Sequence, residues 1–432
     1  MSSSRPLPGP QLSGPRQPGP QLTRRQIYRR RRLVVFGGLA VILAVVLSVF
    51  VYGVSAFAAP VPATAAVLQQ PAAAAQPAAQ LAWPGYGSAA IGAVGRTELL
   101  GTSGDQASVP IASITKIVTA LVILDAKPLA AGEAGPDIQF TDADVDIYYD
   151  TIAENGSSAP VTAGMVLTQR QALETMLLPS ANNYSVSLAV WAYGSVDAYL
   201  QAATAWLTEK GLTQTSVADT SGLSPASVSS PGDLVKLGMM AVADPTLSTI
   251  VSEATADIPT IGAIENTNTL LGTGGVDGIK TGTTDEAGAC LLFSADVVVG
   301  SQTVTLVGVI LGGQDHTEVD ASVLALVASA QAGFHEVVLT TAGTTFGSYT
   351  TAWGQNSSLV ATDDATALIW SDTPVTAVVT AAPVQLADAD EKTGTVSYTI
   401  GDQTIDVPLE TSGAITDPGL GWRLGNPGEL FG

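Results

Sequence analysis

The chain has 432 residues and a net charge of −21, and this charge is distributed very unevenly. The first 32 residues contain eight Arg and no acidic residue, whereas the rest contain nine basic and 38 acidic residues, so the two parts carry +8 and −29. A body this acidic argues against binding of nucleic acid. One cysteine excludes an internal disulfide, and two histidines are too few for the usual zinc sites, so we expect no metal.

An apolar segment follows the arginines directly. Residues 33–59 contain no charge, and as a helix they would span about 40 Å, more than the roughly 30 Å of membrane hydrocarbon. The preceding arginines place that end in the cytoplasm. We therefore expect a single-pass signal anchor in the cell membrane with the remaining chain outside. Cleavage at Ala56-Phe57-Ala58, which fits a small-x-small site, is the alternative and would yield a secreted protein.

Composition divides the chain further. Residues 1–32 are predicted to be a disordered basic cytoplasmic segment, and residues 60–82, rich in Ala, Pro and Gln, an extended linker rather than a packed element. Residues 83–336 have the pattern of a globular α/β (α+β) domain. Residues 337–432 are rich in β-branched residues and predict a small all-β domain.

Helices and strands alternate along the globular part of the chain. In order, we predict a strand at Ser88–Val94, helices at Ile111–Ala126, Gln169–Leu178 and Asn183–Tyr193, strands starting at Ala289 and spanning Val304–Leu311, a helix at Val319–Phe334, a strand at Val375–Thr380, and a hairpin of Thr395–Ile400 with Thr404–Leu409. Helices enclosed between strands from both ends of a domain indicate a mainly antiparallel sheet.

A serine and a lysine lie three residues apart in the first of these helices. Lysine is rare, with six in the chain, and only Lys116 has a serine, Ser113, three positions before it. Residues at this spacing share a helix face. Because apolar residues surround Lys116 in the sequence, burial should lower its pKa, as a general base requires, and such a base can activate a serine hydroxyl.

Two more motifs follow in order. Ser180-Ala181-Asn182 stands at the junction of two predicted helices, and Lys280-Thr281-Gly282 comes 100 residues after Ser180. Either motif alone would be an ordinary turn. Together with Ser113 and Lys116 they form the S-x-x-K, S-x-N and K-T-G set of penicillin-recognising serine enzymes.

Over about residues 83–336 the chain resembles the D-alanyl-D-alanine carboxypeptidases, the low-molecular-weight penicillin-binding proteins. The likeness extends beyond the motifs to segments 110–120, 177–183, 219–224 and 277–288. It implies the penicillin-binding, serine β-lactamase-like transpeptidase fold, with an antiparallel sheet and a helical cluster. The sequence departs from the family at Ala181, where Gly is usual. Residues 419–432 show no sign of the amphipathic anchor helix that many relatives carry at this end.

The resemblance implies removal of the terminal D-Ala from peptidoglycan stem peptides, with β-lactams as covalent inhibitors and without a cofactor. In this scheme Ser113 is the nucleophile and Lys116 its base. Ser180 relays a proton and Asn182 orients the substrate or Lys116. The remaining motif residues attract and bind the substrate carboxylate: Lys280, Thr281, Gly282 and Thr283. The backbone N–H groups of Ser113 and Thr283 would form the oxyanion hole.

Several alternatives remain open. A class A β-lactamase would need Asp where Ala181 stands and an E-x-x-L-N segment, which the sequence lacks. Transpeptidation or endopeptidation would use the same acyl-enzyme, and a non-catalytic peptidoglycan-binding scaffold would not need complete motifs. A Ser-His-Asp triad would require His316 or His335, both of which we interpret as ordinary histidines. Cys290 is predicted to be a buried hydrophobic residue.

Overall fold

A computed structural model describes residues 23–72 and 76–432, so the prediction for residues 1–22 lies outside the described residues. The helices are α1 (Arg24–Ala58), α2 (Thr115–Ala126), α3 (Asp142–Ala153), α4 (Gln169–Leu177), α5 (Asn182–Tyr193), α6 (Val196–Glu209), α7 (Pro231–Ala243), α8 (Pro245–Ser252), α9 (His316–Ala332), α10 (Gly419–Gly425) and α11 (Pro427–Phe431). A 3-10 turn at Ala112–Ile114 precedes α2.

The strands come from both sides of the helical region. They are β1 (Val67–Leu68), β2 (Ser88–Ala93), β3 (Gly101–Ser103), β4 (Val109–Pro110), β5 (Asp137–Gln139), β6 (Val166–Thr168), β7 (Val228–Ser229), β8 (Thr255–Ile258), β9 (Gly262–Glu265), β10 (Val276–Thr284), β11 (Gly288–Val299), β12 (Gln302–Gly313), β13 (Phe334–Thr340), β14 (Thr345–Thr350), β15 (Asn356–Ala361), β16 (Ala365–Trp370), β17 (Val375–Ala381), β18 (Lys392–Ile400) and β19 (Gln403–Thr411).

A five-stranded antiparallel sheet in the order β10-β11-β12-β2-β3 forms the centre of the region from Ser88 to Ala332. Successive residues of β11 point to opposite faces. Cys290 and Leu292 pack against the cluster that contains α2 and α4–α8, whereas Leu291 and Phe293 pack against α9. The sheet therefore has helices on both faces, with β10 at one edge, and the predicted antiparallel α/β fold is confirmed.

Local sequence explains where α9 begins and ends. The Asp315 side chain accepts a hydrogen bond from the backbone N–H of Glu318, so the helix starts three residues before the predicted Val319. The helix ends at Ala332, and strand β13 begins at Phe334. The Phe334 side chain packs in the same hydrophobic cluster as α9 and the sheet residues Leu291 and Phe293. The predicted helices around Pro179 and the hairpin of β18 with β19 are confirmed.

The structure corrects the predicted linker. Strand β1 pairs with β14 at the edge of a six-stranded sheet, in the order β1-β14-β15-β19-β18-β17, and Val61 is buried. The Gln70 side chain also hydrogen-bonds the backbone of Val379. Residues 61–70 therefore belong to the packed C-terminal sheet. The composition of these residues did not predict this packing, because an edge strand is stabilised by backbone hydrogen bonds, which do not depend on composition.

At the ends of the chain, one further expectation is wrong. Residues 24–32 are not disordered, because α1 begins at Arg24, where Gln26 hydrogen-bonds the backbone of Thr23, and runs for 35 residues. The segment after Gly419 forms two short helices, α10 and α11, which pack against the last turns of α1. Helix α1 is long and apolar enough to cross a membrane.

Candidate active site

The 3-10 turn before α2 positions the serine of the first motif. Ser113 lies in this turn after Ala112, whose φ of 46° is unusual for a residue with a side chain. One helical turn later Lys116 points back at it, with 2.9 Å between Lys116 Nζ and Ser113 Oγ. The three-residue spacing thus brings the two reactive groups together, as predicted.

The second motif meets the same lysine from the junction of α4 and α5. Ser180 Oγ lies 3.3 Å from Lys116 Nζ, and Asn182 Oδ1 lies 2.7 Å from it. Ser180 has a φ of 62°, which aims it into the site between the two helices, while Asn182 is the first residue of α5. The first two predicted motifs therefore form one constellation around a single ammonium group.

Lys116 is fully buried, and its four hydrogen-bonding partners are neutral oxygens. Burial lowers the pKa of Lys116 well below its usual value, and the positive charge of Lys280 lowers it further, while Asp219 partly opposes the shift. Both effects favour the neutral amine over the ammonium form more than in an exposed lysine. A neutral amine can accept the proton of a serine hydroxyl.

A loop that carries no catalytic motif supplies the fourth partner of this lysine. The carbonyl oxygen of Ser221 lies 3.1 Å from Lys116 Nζ. The Asp219 carboxylate holds the loop by accepting hydrogen bonds from three backbone N–H groups and two serine hydroxyls, those of Gly222, Leu223, Ser224, Ser221 and Ser227. The family-like segment 219–224 was noted in the sequence, but this positioning role of Asp219 was missed.

The third motif lies on the edge strand β10. Lys280 is 2 % exposed, and its Nζ lies 3.2 Å from Thr267 Oγ1. The Thr281 hydroxyl is also buried and lies 2.6 Å from the same Thr267 hydroxyl, so it supports Lys280 from the side. Burial lowers the pKa of Lys280 to about 7. Thr267 was not predicted, because it lies outside every motif.

Gly282 allows the edge strand to touch the nucleophile turn. A Cβ atom at this position would lie 3.1 Å from both Ser113 N and Ile111 O, a distance that would push the strand away. The backbone of β10 and the backbone N–H of Ser113 therefore face each other closely. This proximity is what an oxyanion hole shared between Ser113 and Thr283 requires.

His316, interpreted from the sequence as an ordinary histidine, contacts a residue of the predicted site. Its Nε2 lies 2.8 Å from Thr283 Oγ1, and its Nδ1 is buried without a hydrogen-bond partner among residues 23–72 and 76–432. Burial lowers the pKa of His316, the negative charge of Asp320 opposes this, and the positive charge of Lys280 adds to it. His316 begins α9, and the packing of that helix on β11 and β12 brings it to Thr283.

A cavity adjoins the lysine from the side of α3 and α5. Its volume is about 400 Å³, and its walls include Glu154, Asn182 and Ser221. Asn182 and Ser221 also contact Lys116, so the cavity borders two of the hydrogen-bonding partners of this lysine. The interpretation of Cys290 as a buried hydrophobic residue is confirmed, since its side chain is fully buried in the core.

Known proteins share this arrangement in part. Residues 96–314 match the profile of the peptidase S11 family, described as D-alanyl-D-alanine carboxypeptidase. A D-alanyl-D-alanine endopeptidase of Pseudomonas aeruginosa is 32 % identical over 197 residues, which cover 44 % of this chain and 60 % of that protein. A D-alanyl-D-alanine carboxypeptidase of Streptomyces sp. strain K15 is 31 % identical over 201 residues, which cover 42 % of this chain and 67 % of that one.

Solved structures extend the comparison to the fold. The crystal structure of the Streptomyces K15 DD-transpeptidase covers 58 % of this chain and 97 % of its own, with a TM-score of 0.51 and 27 % identity. Penicillin binding protein 5 from Haemophilus influenzae covers 78 % of this chain and 98 % of its own, with a TM-score of 0.55 and 21 % identity, which shows the fold alone. The chain spans about 60 % of the length of the Pseudomonas endopeptidase that it matches. With its profile match over half of its length, the chain belongs to the peptidase S11 family of serine DD-peptidases.

Proposed function

We propose that this DD-peptidase is a D-alanyl-D-alanine carboxypeptidase that removes the terminal D-Ala from peptidoglycan stem peptides through an acyl-enzyme on Ser113. The observation that carries the proposal is the buried Lys116 amine 2.9 Å from Ser113 Oγ, surrounded by neutral oxygens. Burial lowers the pKa of this amine, which favours its action as a general base, and a serine hydroxyl beside such a base becomes a nucleophile.

Acylation begins when Lys116 accepts the proton of Ser113 and the serine oxygen attacks the carbonyl of the penultimate D-Ala. The oxyanion is stabilised by the backbone N–H groups of Ser113 and Thr283, a device worth about 3–4 kcal/mol for each donor. The tight approach of Gly282 to the Ser113 backbone supports this assignment.

Ser180 and Asn182 act on the other side of Lys116. The Ser180 hydroxyl, 3.3 Å from Lys116 Nζ, can pass the proton from Lys116 to the nitrogen of the departing D-Ala. Asn182, 2.7 Å from Lys116 Nζ, holds the amine in place. After free D-Ala leaves, water attacks the acyl-enzyme and releases the shortened peptide, with the same groups returning the proton to Ser113.

The substrate carboxylate is proposed to bind between β10 and the start of α9. Lys280 supplies positive charge and Thr283 an exposed hydroxyl, and Gly282 leaves space for the peptide backbone. Thr281 contributes by holding Lys280 beside Thr267. His316 orients the Thr283 hydroxyl through their 2.8 Å contact, which adds one residue to the predicted set.

Purified full-length enzyme should release free D-Ala from a peptide ending in D-Ala-D-Ala, and the Ser113→Ala variant should release none. Ser108→Ala is the matched control, since this exposed serine lies five residues earlier and its hydroxyl donates to the backbone carbonyl of Gln214. Labelled penicillin should form a stable adduct with wild type and none with Ser113→Ala. A wild-type enzyme that binds the cell wall without releasing D-Ala or reacting with penicillin would favour the scaffold alternative.

Endopeptidation is a second candidate because one matched relative is named an endopeptidase and another solved neighbour a DD-transpeptidase. All three reactions use the same acyl-enzyme and differ in leaving group or acceptor. A cross-linked peptide dimer and a single stem peptide should therefore be compared as substrates at equal concentration. Faster cleavage of the dimer would replace the carboxypeptidase proposal with the endopeptidase one, and fast penicillin turnover would revive the β-lactamase alternative.

We also propose that α1 is a membrane anchor that leaves the catalytic region outside the cell membrane. Its length and apolar surface support the span, and the arginines at its start support the orientation. The six-stranded sheet would then separate the catalytic sheet from the membrane. Deletion of residues 337–432 tests this spacer role, and unchanged activity on intact cell wall would contradict it.

A further inference from the structure

The last turns of α1 have a partner from the other end of the chain. Residues 417–431, here called the collar, contain α10 and α11 and lie beside residues 52–59. The Tyr52 hydroxyl donates to the Leu424 carbonyl at 2.7 Å, and the rings of Tyr52 and Phe431 lie 6.4 Å apart. Thus two segments separated by more than 350 residues in sequence form one unit.

Arg423 joins these segments. Its side chain is buried and donates to the backbone carbonyls of Ala56, Phe57 and Ala59, while Asp417 accepts from its Nε and Nη2. The final carbonyls of a helix lack partners within the helix, and they carry its negative dipole end. The guanidinium group of Arg423 donates hydrogen bonds to these carbonyls, and its positive charge is favourable beside the negative dipole end. Arg423 therefore caps the outer end of α1.

Helix length places this capped end at the membrane surface, if α1 spans the membrane as proposed above. About 20 helical residues cross the hydrocarbon, so a span that starts at Leu33 leaves it near Tyr52. Residues 52–58 and the collar then lie at the level of the outer lipid head groups. Tyr52 and Trp422 are residue types that favour this level.

The apolar surface of α1 continues onto the collar. Phe57, Leu420 and Leu424 border one shared apolar depression, and all three side chains are exposed. On its other side the collar contacts the six-stranded domain, where the rings of Trp353 and Trp422 lie 5.6 Å apart. The collar therefore connects a lipid-facing surface to the folded body of the enzyme.

We propose that the outer end of α1 and the collar form a single interfacial anchor, clamped by Arg423, that seats Leu420 and Leu424 in the outer leaflet. This inference rests on the proposed membrane span. It further requires that α1 stay attached in the mature protein, because Ala56, Phe57 and Ala59, at the possible cleavage site, are the residues that Arg423 binds.

The test uses full-length enzyme in vesicles of phosphatidylethanolamine and phosphatidylglycerol. Leu420→Cys carries a nitroxide label, and buried Cys290, whose thiol pKa is raised to about 11 by burial, leaves this position as the reactive one. Val166→Cys in β6 is the matched control, since the two side chains are 49 % and 48 % exposed. Oxygen from the lipid should relax the label at 420, and a water-soluble nickel chelate should relax the label at 166.

Arg423→Gln tests the clamp. In this variant the label at 420 should become more mobile and several-fold more accessible to the nickel chelate, while D-Ala release from a soluble peptide stays unchanged. Asp417→Asn provides a second, milder variant if Arg423→Gln does not fold, and it should shift the label in the same direction. An unchanged label in a folded variant would overturn the clamp.

Intact mass separates the failure of this inference from the failure of the proposed function. Protein isolated from membranes should retain residues 24–58, and a mature chain that starts at Ala59 would overturn both the anchor and the collar. A retained α1 with the label at 420 as exposed to the chelate as that at 166 would overturn the collar alone. D-Ala release is measured on the same samples and reports separately on the catalytic proposal.

Discussion

Two buried basic side chains, Lys116 and Arg423, have opposite surroundings. Lys116 is bordered by neutral oxygens, and burial lowers its pKa. Arg423 is paired with the Asp417 carboxylate, which raises the pKa of the guanidinium and lowers that of Asp417. One site therefore favours loss of a proton, and the other keeps its charge.

The difference shows how surroundings turn a basic residue into a catalyst or into a structural clamp. An ammonium group can release its proton when it is desolvated, whereas a guanidinium group stays charged and offers donors in a fixed fork. In the proposed mechanism, Lys116 uses the first property to activate Ser113. The collar uses the second to bind several carbonyls and a carboxylate at once.

The largest expected effect comes from Lys116→Arg, which places a permanent cation in the catalytic site. Acylation of Ser113 should slow by about 100- to 10,000-fold, the usual contribution of a general base. The measurement is kcat/KM for D-Ala release together with the rate of penicillin adduct formation. Lys127→Arg, an exposed lysine at the end of the same helix, should retain wild-type rates. A loss below tenfold in Lys116→Arg would show that another group is the base.

A smaller loss is expected from Asp219→Asn, which weakens the loop that carries the Ser221 carbonyl. The value of kcat/KM should fall about tenfold, because hydrogen bonds to a charged group are worth roughly 1.5–3 kcal/mol each. Asp219 raises the pKa of Lys116, so its removal should also move the acid limb of the pH profile to lower pH. Asp125→Asn on the surface of α2 is the control. A rate loss without a shifted limb would reduce Asp219 to a purely structural role.

The pH dependence of KM tests the second lysine. Lys280 has a pKa of about 7, so its charge is present below that pH and is lost as the pH rises through it. The KM for a peptide carboxylate should therefore increase above pH 7, by up to about tenfold for each pH unit. Lys280→Arg keeps its charge and should show a flat KM over this range. Parallel profiles for both enzymes would exclude Lys280 as the titrating group.

His316→Asn should have a modest effect confined to binding. Without the imidazole beside Thr283 Oγ1, the hydroxyl loses its orientation, and KM should rise about three- to tenfold, as expected for one hydrogen bond worth about 1 kcal/mol. The value of kcat should stay within about twofold. His335→Asn in β13 is the matched control. An equal change in both variants, or a change in kcat alone, would contradict the positioning role.

The smallest effect on activity is expected from Arg423→Lys. The charge remains, but the planar fork is lost, so the carbonyls of α1 are only partly satisfied. D-Ala release from a soluble peptide should be unchanged, whereas the free energy of unfolding should decrease by about 1–3 kcal/mol. Thermal unfolding of the detergent-solubilised enzyme measures this. An unchanged midpoint would show that Arg423 contributes charge rather than geometry.

Motif spacing was sufficient to predict most of the candidate site. Ser113 and Lys116 lie one helical turn apart, and this relation is local, so the sequence alone predicts their contact. The prediction that Ser180, Asn182 and Lys280 join them came from the order of the motifs. The apolar patterns in the same region also predicted strands, because β11 and β12 are largely buried and their sequences are correspondingly rich in apolar residues.

The sequence by itself thus determined the fold family, the apolar helix and the motif residues proposed to react, since each depends on local pattern. Only the tertiary structure decided the partners that come from afar: the Ser221 carbonyl for Lys116, His316 for Thr283, and β1 and Arg423 at the two ends. These contacts join distant segments through a few hydrogen bonds or, for β1, through the pairing of a two-residue strand. They leave no periodic signal, because each depends on how whole elements pack rather than on their neighbours in the chain.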